Sequence, residues 1–382
     1  MSAFVPFWFI IIAILWTGFF ILEGFDFGVG MLHSVVGRND AERRAAINTI
    51  GPLWDGNEVW LIVAAAVMFA AFPGWYATMF SGLYLALVLL LASLIIRGVA
   101  FEYRGKRDAA RWRRTWDAAL TTGSLLAPLL IGIALGDLLV GLPINSAGNY
   151  TGSFWDLLQP YAVFTGVALV LLCLLHGATF LSLKTTGEVQ QRSRLMARRI
   201  APFSAAFAIG FIIWTHVIAS TAFFLNLIEL LAILAVLAAV SLVYARRDGF
   251  AFAATTVTMA SSIITIFVDL YPNVMVSSTN RAYNLTVSNT ASNPYSLKAL
   301  TIIVLVFLPL VLAYQAWSYY VFRRRVSASD FQAQPPPSVP GQRATEPQAT
   351  EPRATEPRGT EPRGTEPSTE KSIQEGSHVR ES

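Results

Sequence analysis

Cysteine is almost absent from this chain of 382 residues, which has only Cys173, inside an apolar run. A single cysteine excludes a disulfide within the chain, a thioredoxin-like pair and an iron–sulfur cluster held by this chain alone. The motif that attaches c-type haem needs two cysteines and is absent as well. Cysteine-based redox chemistry is therefore excluded for the chain by itself.

Charged residues are also scarce, at 14%, whereas 54% of the residues are hydrophobic. The charges fall between long apolar runs, which is the composition of an integral membrane protein. The formal charge of +4 would suit an anionic partner, but the basic residues cluster beside the apolar runs, where membrane topology explains them. We therefore expect no binding of nucleic acid.

The apolar runs predict an all-α integral membrane protein with nine transmembrane helices, since about 20 apolar residues are needed for each crossing. The predicted spans are about residues 5–33, 55–72, 75–102, 115–140, 157–183, 200–225, 227–245, 249–271 and 299–322. The sixth and seventh spans form one run that is too long for a single crossing, and a turn near Asn226 is the predicted division. Met1 to Phe19 has no basic leader or cleavage site of a secretory signal, so we expect a retained first span.

Basic residues indicate the orientation of these spans. Arginine and lysine follow every odd-numbered span, whereas the opposite loops hold only Arg281 and Lys298. By the positive-inside rule the amino terminus faces outward and the carboxyl terminus is cytoplasmic.

The composition changes after the last span. Residues 344–368 are five near-copies of a pentapeptide with the pattern Ala/Gly-Thr-Glu-Pro-Xaa. A repeat with a proline every fifth residue and nothing apolar to bury cannot form a core. We therefore divide the chain into a nine-helix domain, 1–325, and a disordered cytoplasmic tail, 326–382, for which a solvated segment without a specific role is favoured.

Four carboxylates stand out at the ends of the first two spans. Glu23 and Asp26 are three residues apart, so they share a helix face and differ in depth by about 4.5 Å. Asp55 and Glu58 repeat this spacing where span two begins. Because span one ends on the side where span two begins, all four should gather near the cytoplasmic surface.

Two interpretations of these carboxylates stay open. Acids at membrane depth cost several kcal/mol or more unless paired, hydrated or protonated, and a cluster of them suits a proton relay. Alternatively they pair with Arg97 or with arginines of the adjoining loops, or sit in headgroup water as charges at helix N-termini. The residues alone favour proton handling for the deeper Glu23 and Asp26, and decide nothing for Asp55 and Glu58.

The four histidines do not predict a haem or metal site. His378 lies in the tail and His33 at the end of span one, while His176 and His216 differ in depth by about 12 Å. That separation is too large for the two sides of one haem iron. We expect hydrogen-bonded interior histidines and no metal ligand in this chain.

Several longer motifs stand out within and beside the spans, namely Gly24-Phe25-Asp26-Phe27-Gly28-Val29-Gly30-Met31, Trp54-Asp55-Gly56-Asn57-Glu58-Val59-Trp60, Arg97 with Phe101-Glu102-Tyr103-Arg104, and Gly177-Ala178-Thr179. Together these motifs resemble subunit II of cytochrome bd-type quinol oxidases, over about residues 5–325.

The resemblance implies a heterodimeric respiratory oxidase of the bacterial cytoplasmic membrane that oxidises quinol and reduces oxygen to water. It implies two haem b and one haem d in subunit I, none ligated by this chain, and in some members a structural quinone. Membrane lipid and small single-span accessory subunits are further candidate partners. The implied fold is two four-helix bundles plus one peripheral helix.

For individual residues, the resemblance places a proton-pathway acid at Asp55 and a second at Asp26, with Glu23 and Glu58 beside them. Glu23 stands where some members have aspartate, and His176 where others have glutamine, so His176 receives no role. Motif residues with an expected structural role are Trp54, Asn57, Trp60 and Arg97.

A proton-coupled transporter is the alternative function. It would show broken helices with polar backbone near the bilayer midplane. Here the acids and glycines gather at one end of the spans, and the middle of spans three, five and nine is continuously apolar. This distribution favours the oxidase subunit.

Overall fold

A computed structural model describes residues 4–219 and 225–332, which are mostly helical. The helices are α1 (Phe4–Val36), α2 (Asp40–Asn48), α3 (Trp54–Ala71), α4 (Pro73–Gly82), α5 (Tyr84–Tyr103), α6 (Ala110–Val140), α7 (Pro160–Lys184), α8 (Gly187–Ala219), α9 (Leu227–Tyr244), α10 (Asp248–Leu270), α11 (Val287–Thr290) and α12 (Pro294–Val321). Two short antiparallel strands, β1 (Asn273–Met275) and β2 (Leu285–Thr286), join α10 to α11.

Nine helices in the described residues are long and apolar enough to cross a membrane, namely all but α2, α4 and α11. The prediction of nine spans is therefore confirmed. Asn226 caps α9: its side chain accepts hydrogen bonds from the backbone N–H groups of Ile228 and Glu229. The far side of the predicted turn, 220–224, lies outside the described residues.

Two spans differ from their predicted bounds. The third, predicted as one helix over 75–102, breaks at Leu83 between α4 and α5. The break follows Gly82, where an added Cβ would lie 2.9 Å from the ring of Tyr150, so the absent side chain admits this ring. Helix α8 begins at Gly187 rather than near residue 200. Its first turns are polar and carry Arg192, which pairs with Glu42 at 2.6 Å. A prediction based on the length of apolar runs does not detect such a polar extension of a helix.

Helix α1 packs against α3, α6, α7 and α10, and so lies among the other helices. Helix α12 is peripheral, with only 6% of its most apolar window buried, and it packs mainly against α3 and α1. The grouping of the remaining helices into two four-helix bundles stays a prediction.

Helices α1 and α7 cross with almost no space between their backbones. A Cβ added at Gly28 would lie 2.0 Å from the carbonyl oxygen of Cys173 and 2.7 Å from the Cα of Gly177. A side chain at either glycine would have to displace a backbone. Glycines of this kind allow close helix packing in membranes, and here they place the neighbouring Glu23 and Asp26 in the protein interior.

The packed part of the chain extends past the predicted boundary at residue 325. Val326 donates its N–H to the carbonyl oxygen of Lys184 at 2.8 Å, and the guanidinium of Arg44 lies 5.3 Å from the ring centroid of Phe331. Phe331 is the only aromatic residue of 326–382, so this first part of the predicted tail has something apolar to bury. The rest of the predicted tail, 333–382, lies outside the described residues.

The crossing of α1 and α7 predicts that Gly28→Ala destabilises the protein. The new methyl group would force two backbones apart, and overpacking of this kind costs about 1–3 kcal/mol. Thermal melting of the detergent-purified protein measures the effect. The matched control is Gly249→Ala, because a Cβ at Gly249 meets nothing within 4 Å. Equal melting temperatures for the two variants would contradict the close crossing.

Candidate functional site

Arg97 on α5 lies between carboxylates from two other helices. Its Nη1 is 2.5 Å from Oε1 of Glu23 on α1 and 3.1 Å from Oε2 of Glu58 on α3. The side chains of Arg97 and Glu23 are 0% exposed, and that of Glu58 is 22% exposed. A guanidinium in this position needs counter-charges because its desolvation is costly. Its planar group also lies over the rings of Phe27 and Phe101, at 4.9 and 5.3 Å from their centroids.

Asp26 is fully buried and is bound by an amide from α3. The Nδ2 of Asn57 donates to Oδ2 of Asp26 at 2.7 Å and to the carbonyl oxygen of Leu22 at 3.3 Å. The Oδ1 of Asn57 accepts hydrogen bonds from Gln315 Nε2 and the Tyr319 hydroxyl, both at 2.9 Å. Four hydrogen bonds therefore join α1, α3 and α12 at this amide.

These side chains form one polar group inside the helices. Glu23 and Asp26 are three residues apart, so they share a face of α1, and both are fully buried. We call Glu23, Asp26, Glu58 and Arg97 the acid cluster. It runs from the partly exposed Glu58, through Arg97, to two buried carboxyl groups, an arrangement that could pass protons inward from the end of the helices where α3 begins.

Asp55 lies apart from the acid cluster. It is exposed in the first turn of α3 and makes no hydrogen bond or ion pair with any described residue. Helical side chains tilt toward the N-terminus, so a residue at the start of α3 points out toward the helix end. Of the four acids expected to gather, the structure brings Glu23, Asp26 and Glu58 together and leaves Asp55 at the surface.

The two tryptophans of the second motif fix the position of α3. Trp54 stacks on Phe101 of α5, with centroids 4.9 Å apart, and lies against Gly98. Trp60 is 8% exposed and packs against Gly18 of α1, where an added Cβ would be 3.2 Å from its ring. These contacts hold α3 against α5 and α1 and thereby place Asn57 and Glu58.

Two of the described histidines do not fit an axial haem ligand. His33 contacts Gly30 O at 2.8 Å and Asp117 Oδ1 at 3.2 Å, one through each ring nitrogen. His176 likewise contacts Thr255 Oγ1 at 2.8 Å and Ile21 O at 3.2 Å. Neither ring has a nitrogen left for iron. His216 pairs with Glu229 at 2.9 Å, and His378 lies outside the described residues.

Sequence reasoning missed Gln315 and Tyr319. Both lie on α12, more than 250 positions away from Asn57 in the chain. A signal was present, since Gln315 is the only amide side chain in the ninth predicted span. A polar residue inside a membrane span calls for a partner, but the sequence alone does not identify that partner.

The family model described as cytochrome bd terminal oxidase subunit II matches residues 5–322. Cytochrome bd ubiquinol oxidase subunit 2 of Bacillus subtilis is 44% identical over 326 residues, covering 84% of this chain and 96% of that protein. Cytochrome bd-I ubiquinol oxidase subunit 2 of Escherichia coli K12 is 37% identical, with coverages of 85% and 96%. A chain from the bd oxidase structure of Geobacillus thermodenitrificans has a TM-score of 0.68 at 19% identity, with coverages of 84% and 99%, which shows a shared fold.

The ion pair of the acid cluster predicts a large effect of Arg97→Leu on stability. The variant leaves Glu23 buried without a counter-charge, a change that costs about 3–5 kcal/mol. Adding Glu23→Leu removes the stranded charge and should restore part of the melting temperature of the purified protein.

Arg111→Leu is the control, because Arg111 is exposed at the start of α6. A melting temperature for Arg97→Leu equal to that of this control would show that the ion pair does not hold the helices together.

Proposed function

We propose, from the premise that this chain belongs to the cytochrome bd terminal oxidase subunit II family, that it stabilises a haem-bearing subunit I and supplies it with protons from the cytoplasm. The family belongs to a quinol:oxygen oxidoreductase of the bacterial membrane, and this chain is its second, multi-pass subunit. Membership in this family replaces the transporter alternative.

Reduction of oxygen to water consumes protons as well as electrons, so the complex needs a proton path to its site of oxygen reduction. The acid cluster supports such a path, since the buried Glu23 and the partly exposed Glu58 both pair with Arg97, and the buried Asp26 lies on the same helix face as Glu23. Acids inside a membrane span are typical of proton relays. This convergence is the observation that carries the proposal.

The direction of the path follows from the distribution of charge. The acid cluster lies toward the end at which α1 ends and α3 begins, and this end carries most of the arginine and lysine outside the tail. By the positive-inside rule it faces the cytoplasm, and the amino terminus faces outward.

In the proposed path Asp55 collects protons at the surface, and Glu58, one turn further along α3, receives them. Arg97 holds the carboxylates of Glu58 and Glu23 close together. A proton on Glu23 then passes to the neighbouring carboxyl of Asp26. Exit from Asp26 leads toward the partner subunit.

We assign the two haem b groups and the haem d to subunit I, where they carry out the electron transfer and oxygen chemistry. The hydrogen bonds that occupy both ring nitrogens of His33 and His176 support this assignment.

Two apolar surfaces of the chain are candidate binding sites for the other proposed partners, namely lipid, a structural quinone and further subunits. A long groove between α1 and α10 is lined by residues such as Phe9, Thr17 and Tyr271, and it suits a lipid chain or the tail of a structural quinone. The exposed apolar face of α12 is available to subunit I, to a small single-span accessory subunit or to lipid.

Asp26→Asn is expected to slow quinol-driven oxygen consumption by the purified complex by about 10²-fold, the size of a lost acid–base group. Asp55→Asn should slow turnover less, because water at the surface can replace an exposed carboxylate. Both variants should keep the haem spectrum, since the proposed haem ligands lie in subunit I.

The control is Glu102→Gln, an exposed carboxylate near the end of α5, which should turn over like the wild type. Wild-type turnover of Asp26→Asn would remove Asp26 from the path. Loss of all haem would instead make it an assembly residue.

A further inference from the structure

The peripheral helix α12 reaches the acid cluster through two polar side chains. Gln315 and Tyr319 are four residues apart and therefore lie on one face of the helix. Both donate a hydrogen bond to Oδ1 of Asn57 at 2.9 Å. Most of α12 is exposed and apolar, so this pair stands out from the surface around it.

The partners of Asn57 fix the orientation of its amide. Its Oδ1 accepts from the two donors of α12, and its Nδ2 donates to Oδ2 of Asp26 at 2.7 Å and to the backbone oxygen of Leu22 at 3.3 Å. A backbone carbonyl oxygen can only accept. Rotating the amide by 180° would turn Oδ1 toward two acceptors, so the network assigns one orientation.

A fixed amide constrains where Asp26 can carry a proton. Because Asn57 can only donate to Asp26, Oδ2 is always an acceptor. The other oxygen, Oδ1, has no hydrogen-bond partner among the described residues. A proton on Asp26 therefore belongs on Oδ1, directed away from Asn57, and the buried carboxyl group of Glu23 lies on the same face of α1.

We propose that Gln315 and Tyr319 are positioning residues that hold the Asn57 amide in the orientation that keeps Oδ1 of Asp26 as its proton-carrying oxygen. This role deepens the proposed proton path and rests on it. It also gives α12 a function beyond spanning the membrane, because the packing of α12 against α3 places the donors of Gln315 and Tyr319 beside Asn57. Separation of α12 from α3 would release the amide.

A double-mutant cycle in the purified oxidase complex tests this role through oxygen consumption. Tyr319→Phe removes one donor to Asn57 while keeping the ring. Loss of one neutral hydrogen bond corresponds to about two- to tenfold slower turnover. Gln315→Leu should have an effect of the same size.

In an Asn57→Leu background Tyr319→Phe should cause no further loss, because the amide through which it acts is gone. An equal fold-loss in both backgrounds would mean that Tyr319 acts on its own, and would overturn the inference.

The control variant is Tyr314→Phe, which likewise removes a tyrosine hydroxyl from α12, but at a residue that is 64% exposed. It should leave turnover and the haem spectrum unchanged. A loss as large as that of Tyr319→Phe would trace the effect to α12 in general and contradict the assigned role.

Infrared spectroscopy separates this inference from the proton path itself. The carboxyl band of Asp26 is identified by its loss in Asp26→Asn, and it should shift in Tyr319→Phe but not in Tyr314→Phe. A shift supports the positioning role even where Asp26→Asn leaves turnover intact and the proton path fails. An unshifted band overturns the positioning role, and this comparison decides by itself where Asn57→Leu yields no complex.

Discussion

The structure depends on one buried interaction, the guanidinium of Arg97 between carboxylates of α1 and α3. A cation and an anion that are both 0% exposed inside an apolar helix bundle are tolerated only when they face each other. This requirement fixes the position of α5 against α1 and α3. The aromatic rings of Phe27 and Phe101 complete the enclosure of Arg97. The same ion pair thus stabilises the fold and places acids where protons could move.

Two other features keep the buried carboxyl groups in place. The glycine crossing of α1 and α7 brings the backbones together just beyond Asp26 along α1, so α1 cannot shift along its axis without a clash at Gly28. On the other side, the amide of Asn57 ties Asp26 to α3 and α12. A carboxyl group held from both sides has a defined geometry for proton transfer, in contrast to the exposed Asp55.

Much of this architecture could be predicted from the sequence, because the apolar length of each span is a direct consequence of the thickness of a bilayer. The shared face of Glu23 and Asp26 followed from helical spacing. The break at Leu83 could not be predicted, because the ring of Tyr150, which packs beside it against Gly82, is distant in sequence. The contact of Gln315 with Asn57 could not be predicted either, because these two residues are also distant in sequence.

The choice between ion pairing and proton handling also could not be made from the sequence. Arg97 was one candidate partner among several arginines, and only the three-dimensional structure shows that it meets Glu23 and Glu58 together. The observed pairing does not oppose a relay: a permanent cation brings carboxylates close that would otherwise repel one another. The ion pair and the proposed proton relay are therefore compatible with one arrangement of these residues.

In the proposed function, protons for oxygen reduction enter through the acid cluster from the cytoplasmic face. Time-resolved proton uptake by Glu23→Gln complex in oriented proteoliposomes, followed with a pH dye on each side, tests it most directly. We expect slower uptake from the cytoplasmic side while electron transfer from quinol to haem keeps its rate. Uptake at the wild-type rate, or from the opposite side, would contradict it.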